Sequence, residues 1–430
     1  MNNQWHLNSL IRGLSVLCLL LLGACGPASE HGSQTQPVTE SAKRADSAKN
    51  SGADVNGGGR AGFANLGAAS QGYAHASSAT YLSFPEDHGP HPDFRIEWWY
   101  LTANLVDDNG EPLGMQWTLF RQAQQPIAKI EAEPKSEHKA EPWSTDQIWM
   151  AHMALSRGEN HRVAERFARG ASVPLPNTAQ QAGVTAQPFR AWLDDWQLES
   201  QARNPGDDAL DHLRLTAQAK DENGPFGYRL ELEAEGPLVR HGIRGFSQKS
   251  ADGQGSMYYS QPFYRVSGEV MLEGEHVAVS GRAWLDREWS SQLLSASQTG
   301  WDWFSLHLDS GARLMAFRLR GGGANQDDYL SGSWISPDGE VTPLNASTLT
   351  LVPLESAKAA GHRVPLRWRL TLPEQNIELE IVARQANRWM NTSVLYWEGA
   401  VSVSDAASGA PRGQGYLEMT GYDMVRQKSE

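Results

Sequence analysis

Between Phe84 and Leu105 the chain carries Asp87, His88, His91, Asp93, Glu97, Trp98, Trp99 and Tyr100. A core strand has no need of ionisable groups and indoles set so closely. The stretch therefore predicts a polar site with aromatic walls on the first strand of a β domain. Side chains alternate across a strand, which puts Glu97 and Trp99 on one face and Trp98 and Tyr100 on the other. Burial raises a carboxyl pKa, so Glu97 in an apolar pocket could serve as an acid or a hydrogen-bonding group. The same residues admit a second arrangement, in which Glu97 pairs with Arg95, Arg121 or Arg318 and the aromatics fill a core. Asp87, His88 and His91 lie in a loop punctuated by Gly89, Pro90 and Pro92. Their spacing matches no strong metal-ligand motif, and they are expected to pin the loop over a barrel mouth and contribute to a ligand site.

A second cluster runs Ala283-Trp284-Leu285-Asp286-Arg287-Glu288-Trp289 and continues at Gly300-Trp301-Asp302-Trp303-Phe304. In a strand, Trp284, Asp286 and Glu288 share a face. Two carboxylates so close repel, so either one is held protonated or an arginine sits between them. The first case suits acid catalysis, with Asp286 or Glu288 as the acid and Glu97 as a partner. In the second, Asp286 braces Arg282 or Arg287 at a domain junction. The nearness of both arginines, with no histidine beside them, favours the brace. There is no Gly-x-Ser-x-Gly elbow, phosphate-cradling glycine loop or His-Glu-x-x-His run, so serine-hydrolase chemistry of the α/β type has no support. The 16 Trp and 11 Tyr suit a protein that lines cavities with flat apolar surfaces, and Trp301 and Trp303 are candidate lining residues.

The elements that must position these residues read as β structure. Period-two alternation recurs at 115–120, 213–217, 228–234, 366–372 and 377–382. Turn signals separate the runs at Asn109-Gly110, Asn223-Gly224, Asp252-Gly253, Ser310-Gly311 and Asp338-Gly339. Many short strands predict sandwiches or barrels, and the length allows two, one over 80–266 and one over 267–430. An internal echo supports two related halves. Glu97-Trp98-Trp99-Tyr100, an acidic glycine turn and a strand ending at Arg121 are followed later by Trp301-Asp302-Trp303-Phe304, a like turn and a strand ending at Arg318. A low-complexity stretch, Pro126 to Pro142, predicts a loop or short helix between strands.

Residues 1–24 read as a signal peptide whose apolar run, Leu14 to Leu22, is too short to span a bilayer. It ends in Leu22-Gly23-Ala24-Cys25, the bacterial lipobox pattern, so Cys25 is the expected lipidation site. Gly26 after the cysteine points to the periplasmic face of the outer membrane. Residues 25–79, rich in Ser, Ala, Gly and Thr, read as a disordered tether. With Cys18 removed and Cys25 acylated, the folded part has neither disulfide nor thiolate zinc site. A net charge of −13 without a basic cluster excludes nucleic acid as a natural partner and leaves membrane proximity to the lipid anchor.

These motifs resemble the AttH/CrtC-type family, which contains carotenoid hydratases and secreted lipoproteins described as predicted hydrolases. The opening signature is Asp87-His88-Gly89 with His91 and Glu97-Trp98-Trp99-Tyr100. Trp284 to Trp289 with Trp301-Asp302-Trp303 resembles the middle one. Tyr396 to Ala400 with Gly415 to Tyr422 resembles the closing one. The resemblance implies two tandem lipocalin-like β-barrels and, for the hydratase branch, cofactor-independent addition of water to an isoprenoid double bond with Asp286 as the acid. For some lipoprotein members it implies work beside ABC transporter components of the MacB/LolCDE kind. Leu285 and Arg287 stand where the hydratase branch has histidine, and Met257-Tyr258-Tyr259-Ser260 replaces its His and Trp, which favours the lipoprotein branch. The expected function is thus a lipid-anchored periplasmic protein that binds an apolar small molecule or assists an ABC transporter permease. The alternative is a hydratase or hydrolase of isoprenoid or lipid-like substrates. Expected ligand contacts are Asp87, His88, His91, Trp98, Trp99, Tyr100, Trp284, Trp301 and Trp303, with no cofactor and no metal. Convergence of the carboxyls on one open cavity is what distinguishes the enzyme.

Overall fold

The computed structural model describes residues 70–127, 129, 145–170, 180–202, 206–321 and 327–422. The signal peptide, Cys25, the tether up to residue 69 and nearly all of the Pro126–Pro142 stretch lie outside the described residues. Among those described, the named elements are antiparallel strands and two short 3-10 turns, Glu86–His88 and Pro373–Gln375.

Two sheets account for the named strands among the described residues. In the larger one, strand Ile96–Asp107 lies between Pro112–Ala123 and Glu275–Ser290. Its two ends return towards each other, Asn160–Gly170 coming against Ala182–Ala186, so the sheet nearly closes into a barrel. The second sheet has the same plan in a half-barrel, with Gln298–Leu308 between Arg313–Gly321 and Pro411–Thr420. The protein is therefore all-β, with two lipocalin-like domains. Hairpin turns fall where glycine permits a left-handed backbone, as at Gly110, φ +81°, between the first two strands.

The change of sheet falls between Ser290 and Gln298, not at 266/267. Strands Gly255–Leu272 and Glu275–Ser290 pair along most of their length as one long hairpin of the first sheet, so residue 267 is mid-strand. The echo between the halves is also real but shifted by one residue. Glu97 pairs in register with Arg121 and Trp98 with Phe120, while Asp302 pairs with Arg318 and Trp303 with Phe317. Glu97 thus corresponds to Asp302, and Trp98 to Trp303. A one-residue slip exchanges the faces of a strand, so this register decides which residues of each half face the junction.

The three largest apolar clusters among the described residues follow. Trp99, Trp117, Trp196 and a set of leucines fill the first barrel. Phe304, Trp368 and Trp397 anchor the core of the second sheet. A third cluster, including Tyr100, Tyr258, Trp284, Trp301, Trp303 and Phe317, joins the sheets face to face. These tryptophans are therefore divided between the cores of the two sheets and the junction, and a cavity lies at the junction.

Candidate active site

A cavity of about 580 Å³, open solvent at its mouth included, lies in that third cluster. Strand alternation and register build its two walls. Across the first sheet run two rows, Phe120–Trp98–Glu288 and Thr118–Tyr100–Asp286. Across the second runs Phe317–Trp303–Glu418, the counterpart of the first row. Trp301, Leu319, Leu293 and Lys249 complete the lining.

Asp286 is 2 % exposed, and its hydrogen-bond donors among the described residues are neutral. Its Oδ1 accepts from Trp284 Nε1 at 2.6 Å and from Ser260 Oγ, and its Oδ2 accepts from the Tyr258 hydroxyl at 2.8 Å. Burial pushes its pKa up to about 7. The Ser260, Trp284 and Tyr258 hydrogen bonds pull the other way, while the charge of Glu288 adds to the rise. Ser260 Oγ is also 2.7 Å from His241 Nε2, and His241 Nδ1 is 2.9 Å from Ser333 Oγ on the second sheet. Burial, with Lys249 assisting, lowers the His241 pKa to about 3, so the ring is neutral near pH 7. Asp286 therefore ends a chain of neutral groups, each able to donate or accept.

Glu288 is built differently. Lys249 Nζ lies 2.9 Å from its Oε1, which also accepts from Ser256 Oγ. On the second sheet, Glu418 Oε1 accepts from Trp301 Nε1 at 2.5 Å. Burial raises Glu418 to about 7 against the Trp301 and Tyr100 hydrogen bonds, with Asp286 and Glu288 raising it further. Its register partner Glu398 accepts from the Tyr100 hydroxyl and is pushed well above the carboxylate range by burial and then by Glu418.

Of the residues singled out in the sequence, Trp98, Tyr100, Asp286, Glu288, Trp301 and Trp303 reach the cavity. Trp284 stands behind Asp286 as a donor. Glu97 does not converge with them. It sits on the opposite face of its strand, where it accepts from Arg121 Nε and, at 2.6 Å, from Arg287 Nη2. Burial alone would raise its carboxyl, but the two arginines hold it well below the usual range. Trp99 shares that face and packs in the barrel core with the Arg287 guanidinium 3.8 Å above its ring. Asp87, His88 and His91 also lie away from the cavity lining. His91 stacks on Trp289 at 3.8 Å and bonds to Glu97 and Asp87, and His88 contacts the Tyr259 hydroxyl at 2.7 Å. These contacts tie the loop to Glu97 and Tyr259. Among the described residues, no group of three or more His, Cys, Asp or Glu is placed to hold a metal ion.

The brace expected for Asp286 is replaced by another pairing. Arg287 follows Asp286 in the strand and so points to the other face, where it meets Glu97, while Arg282 is engaged by Glu235. Thr118, Lys249 and the Ser260–His241 pair carry no site signal of their own in the sequence, whereas Glu398 and Glu418 lie inside the two parts of the closing signature, Tyr396 to Ala400 and Gly415 to Tyr422. The former are brought to the site by long-range pairing alone.

Residues 75–422 match the AttH-like family. The chain belongs to that family. Among solved structures, this AttH-like chain is similar to a protein of Nitrosomonas europaea assigned as AttH, with 32% identity, 81% of this chain and 100% of the other covered, and a TM-score of 0.66. It also shares its fold with kievitone hydratase of Nectria haematococca at 16% identity, 82% and 97% coverage, and a TM-score of 0.54. No curated protein matches the AttH-like chain.

Proposed function

We propose that the protein is a cofactor-independent acid–base enzyme of the hydratase type, adding water to a double bond of an isoprenoid or lipid-like substrate in the junction cavity. The observation that carries this is Asp286, a carboxyl with a pKa near 7 and only neutral hydrogen-bond partners, facing an aromatic wall. A general acid works best when its pKa lies near the working pH. The fold shared with kievitone hydratase supports the same reading.

The step balances with the residues present. Asp286 gives its proton to one alkene carbon, leaving a cation on the other. The faces of Trp98 and Trp303 offer that cation the negative side of their quadrupoles. Water forms the new C–O bond, and its proton passes to the ionised fraction of Glu418. Exchange with solvent through the open mouth restores both groups. Ser260, Trp284 and Tyr258 hold the Asp286 carboxyl in place.

A panel of isoprenoid alkenes incubated in H2(18)O tests this by mass spectrometry of the products. One (18)O atom in an alcohol formed by the native protein and not by Asp286→Asn is the expected result. Alkenes that bind but emerge unchanged would sink the enzyme.

That outcome would leave a second reading, a lipid-anchored periplasmic protein that holds an apolar molecule or assists an ABC transporter of the MacB/LolCDE kind. The lipobox ending at Cys25 and the residues Leu285 and Arg287 favour it. The ligand would then lie in the junction, because the first barrel is filled by Trp99, Trp117 and Trp196. An acyl anchor at Cys25 on the outer membrane is compatible with either reading.

A further inference from the structure

Three carboxyls and one ammonium line the junction cavity, Asp286, Glu288 and Glu418 against Lys249. The ammonium is engaged, 2.9 Å from Glu288. That leaves Asp286 and Glu418, whose hydrogen-bond donors among the described residues are neutral. Asp286 is closed in by its three donors. Glu418 is only half-buried and lines the cavity, as does the half-buried Trp98. Trp303 stands directly opposite Glu418 in the second sheet, and Trp301, on the same face, donates its indole N–H to Glu418. A carboxyl without a cation therefore sits within reach of the cavity, framed by indoles.

We propose that the junction cavity takes a cationic nitrogen, a protonated or quaternary ammonium group on an apolar chain, seated between Glu418 and the indoles of Trp98, Trp301 and Trp303. Indole rings attract a cation through their quadrupoles. A carboxylate adds a Coulomb attraction that is stronger away from bulk water. The apolar walls take the chain. A ligand that also carries a phosphate or carboxylate would be repelled by the same carboxyls. Glu418 is faced by Asp286, Glu288, Lys249 and Tyr100 around the cavity and by Glu398 on its own sheet. Glu418 and Asp286 hold protons up to about pH 7. A cation beside them favours their ionised forms, so its binding near pH 7 expels protons and tightens as pH rises. The proposal rests on the cavity described above but not on turnover in it.

The test is equilibrium binding to the native protein. Isothermal titration calorimetry compares trimethyl(3-methylbutyl)ammonium with 2,5-dimethylhexan-2-ol, a neutral molecule of closely matched shape. Both are saturated, so neither can be hydrated, and a protein without hydratase activity still gives an answer. At pH 8 the ammonium should bind at least about tenfold more tightly than the alcohol. That advantage should shrink by up to about tenfold between pH 8 and pH 6. At pH 7 its heat should differ between phosphate and Tris, which take up the released protons with different enthalpies. Glu418→Gln should weaken the ammonium by about tenfold at pH 8 and the alcohol by less than about twofold. The pH dependence and proton release need no variant, so they decide the matter should Glu418→Gln fold poorly. Binding of neither probe, an alcohol that binds as tightly as the ammonium at pH 8, or ammonium binding without proton release would overturn the proposal. Any of these would leave hydration to be decided by the labelled-water assay.

Discussion

Glu288 and Glu418 hold the same place in two repeated rows. Each ends a line of Phe, Trp and Glu across its sheet, Phe120–Trp98–Glu288 in one and Phe317–Trp303–Glu418 in the other. Their surroundings have diverged. Glu288 has Lys249 Nζ at 2.9 Å, whereas Glu418 has the neutral indole N–H of Trp301 at 2.5 Å. One repeated position thus supplies a charge-paired carboxylate and a carboxyl that titrates near neutrality. An ammonium stabilises the ionised form and an indole does so only weakly.

Asp286→Asn keeps the shape of the side chain and removes its acidity. Hydration should fall by at least about a hundredfold, the usual worth of a placed general acid. The thermal midpoint should hold or rise, because no buried cation loses a partner. Melts run beside the turnover assay check both. A strongly destabilised variant would restore the brace.

Tyr258→Phe deletes a donor that lowers the Asp286 pKa. If the acid form is active, the native rate declines as pH rises through about 7. In the variant that decline should move to higher pH, as read from the pH dependence of kcat. A move in the other direction would mean that the ionised form does the work.

Stability should also depend on pH over a defined window. Asp286 and Glu418 have ordinary values of 3.8 and 4.5 and folded values of about 7. Between these limits the folded chain holds more protons than the unfolded one. Their contribution is therefore full below about pH 4 and is lost as pH rises towards 7, each group giving up about 1.4 kcal/mol for every pH step of one across that window. Glu97, whose value is depressed, acts oppositely, and its contribution is lost only as pH falls below its ordinary 4.5. Urea denaturation of the native protein and Asp286→Asn between pH 5 and 8 should show a shallower slope for the variant.

Glu97→Gln should be the most damaging of these changes to the fold. It leaves the guanidinium groups of Arg121 and Arg287, each 1 % exposed, without their shared carboxylate. A loss of about 3–5 kcal/mol is expected from chemical denaturation. A near-neutral result would show that the arginines find other partners.

Cys25→Ser should move the protein from the membrane to the soluble fraction with its circular dichroism unchanged, because the expected acylation site lies in the chain far ahead of the first strand, Ile96–Asp107. Membrane association that survives the change would remove the lipobox from consideration.

Alternation along single strands was legible without the structure. It placed Trp98 with Tyr100 and Asp286 with Glu288, because side-chain direction in a strand depends only on residue parity. Glycine turns and the aromatic repeat were legible for the same local reason, and so was the family signature. Parity cannot say which face looks at which neighbour. Glu97 is no partner for Asp286, because the two point to opposite sides of one sheet, and Asp286 braces neither Arg287, which as its successor faces the other side, nor Arg282, which Glu235 engages. The aromatic repeat read along the chain is one residue out of register with the strand pairing, which matches Glu97 with Asp302. Glu418 and Thr118 share a cavity with Asp286 only because Ile96–Asp107 pairs with both Pro112–Ala123 and Glu275–Ser290, Gln298–Leu308 pairs with Pro411–Thr420, and the two sheets then close on each other. Backbone pairing between strands distant in the chain, and the burial it creates, decided which carboxyls keep their protons.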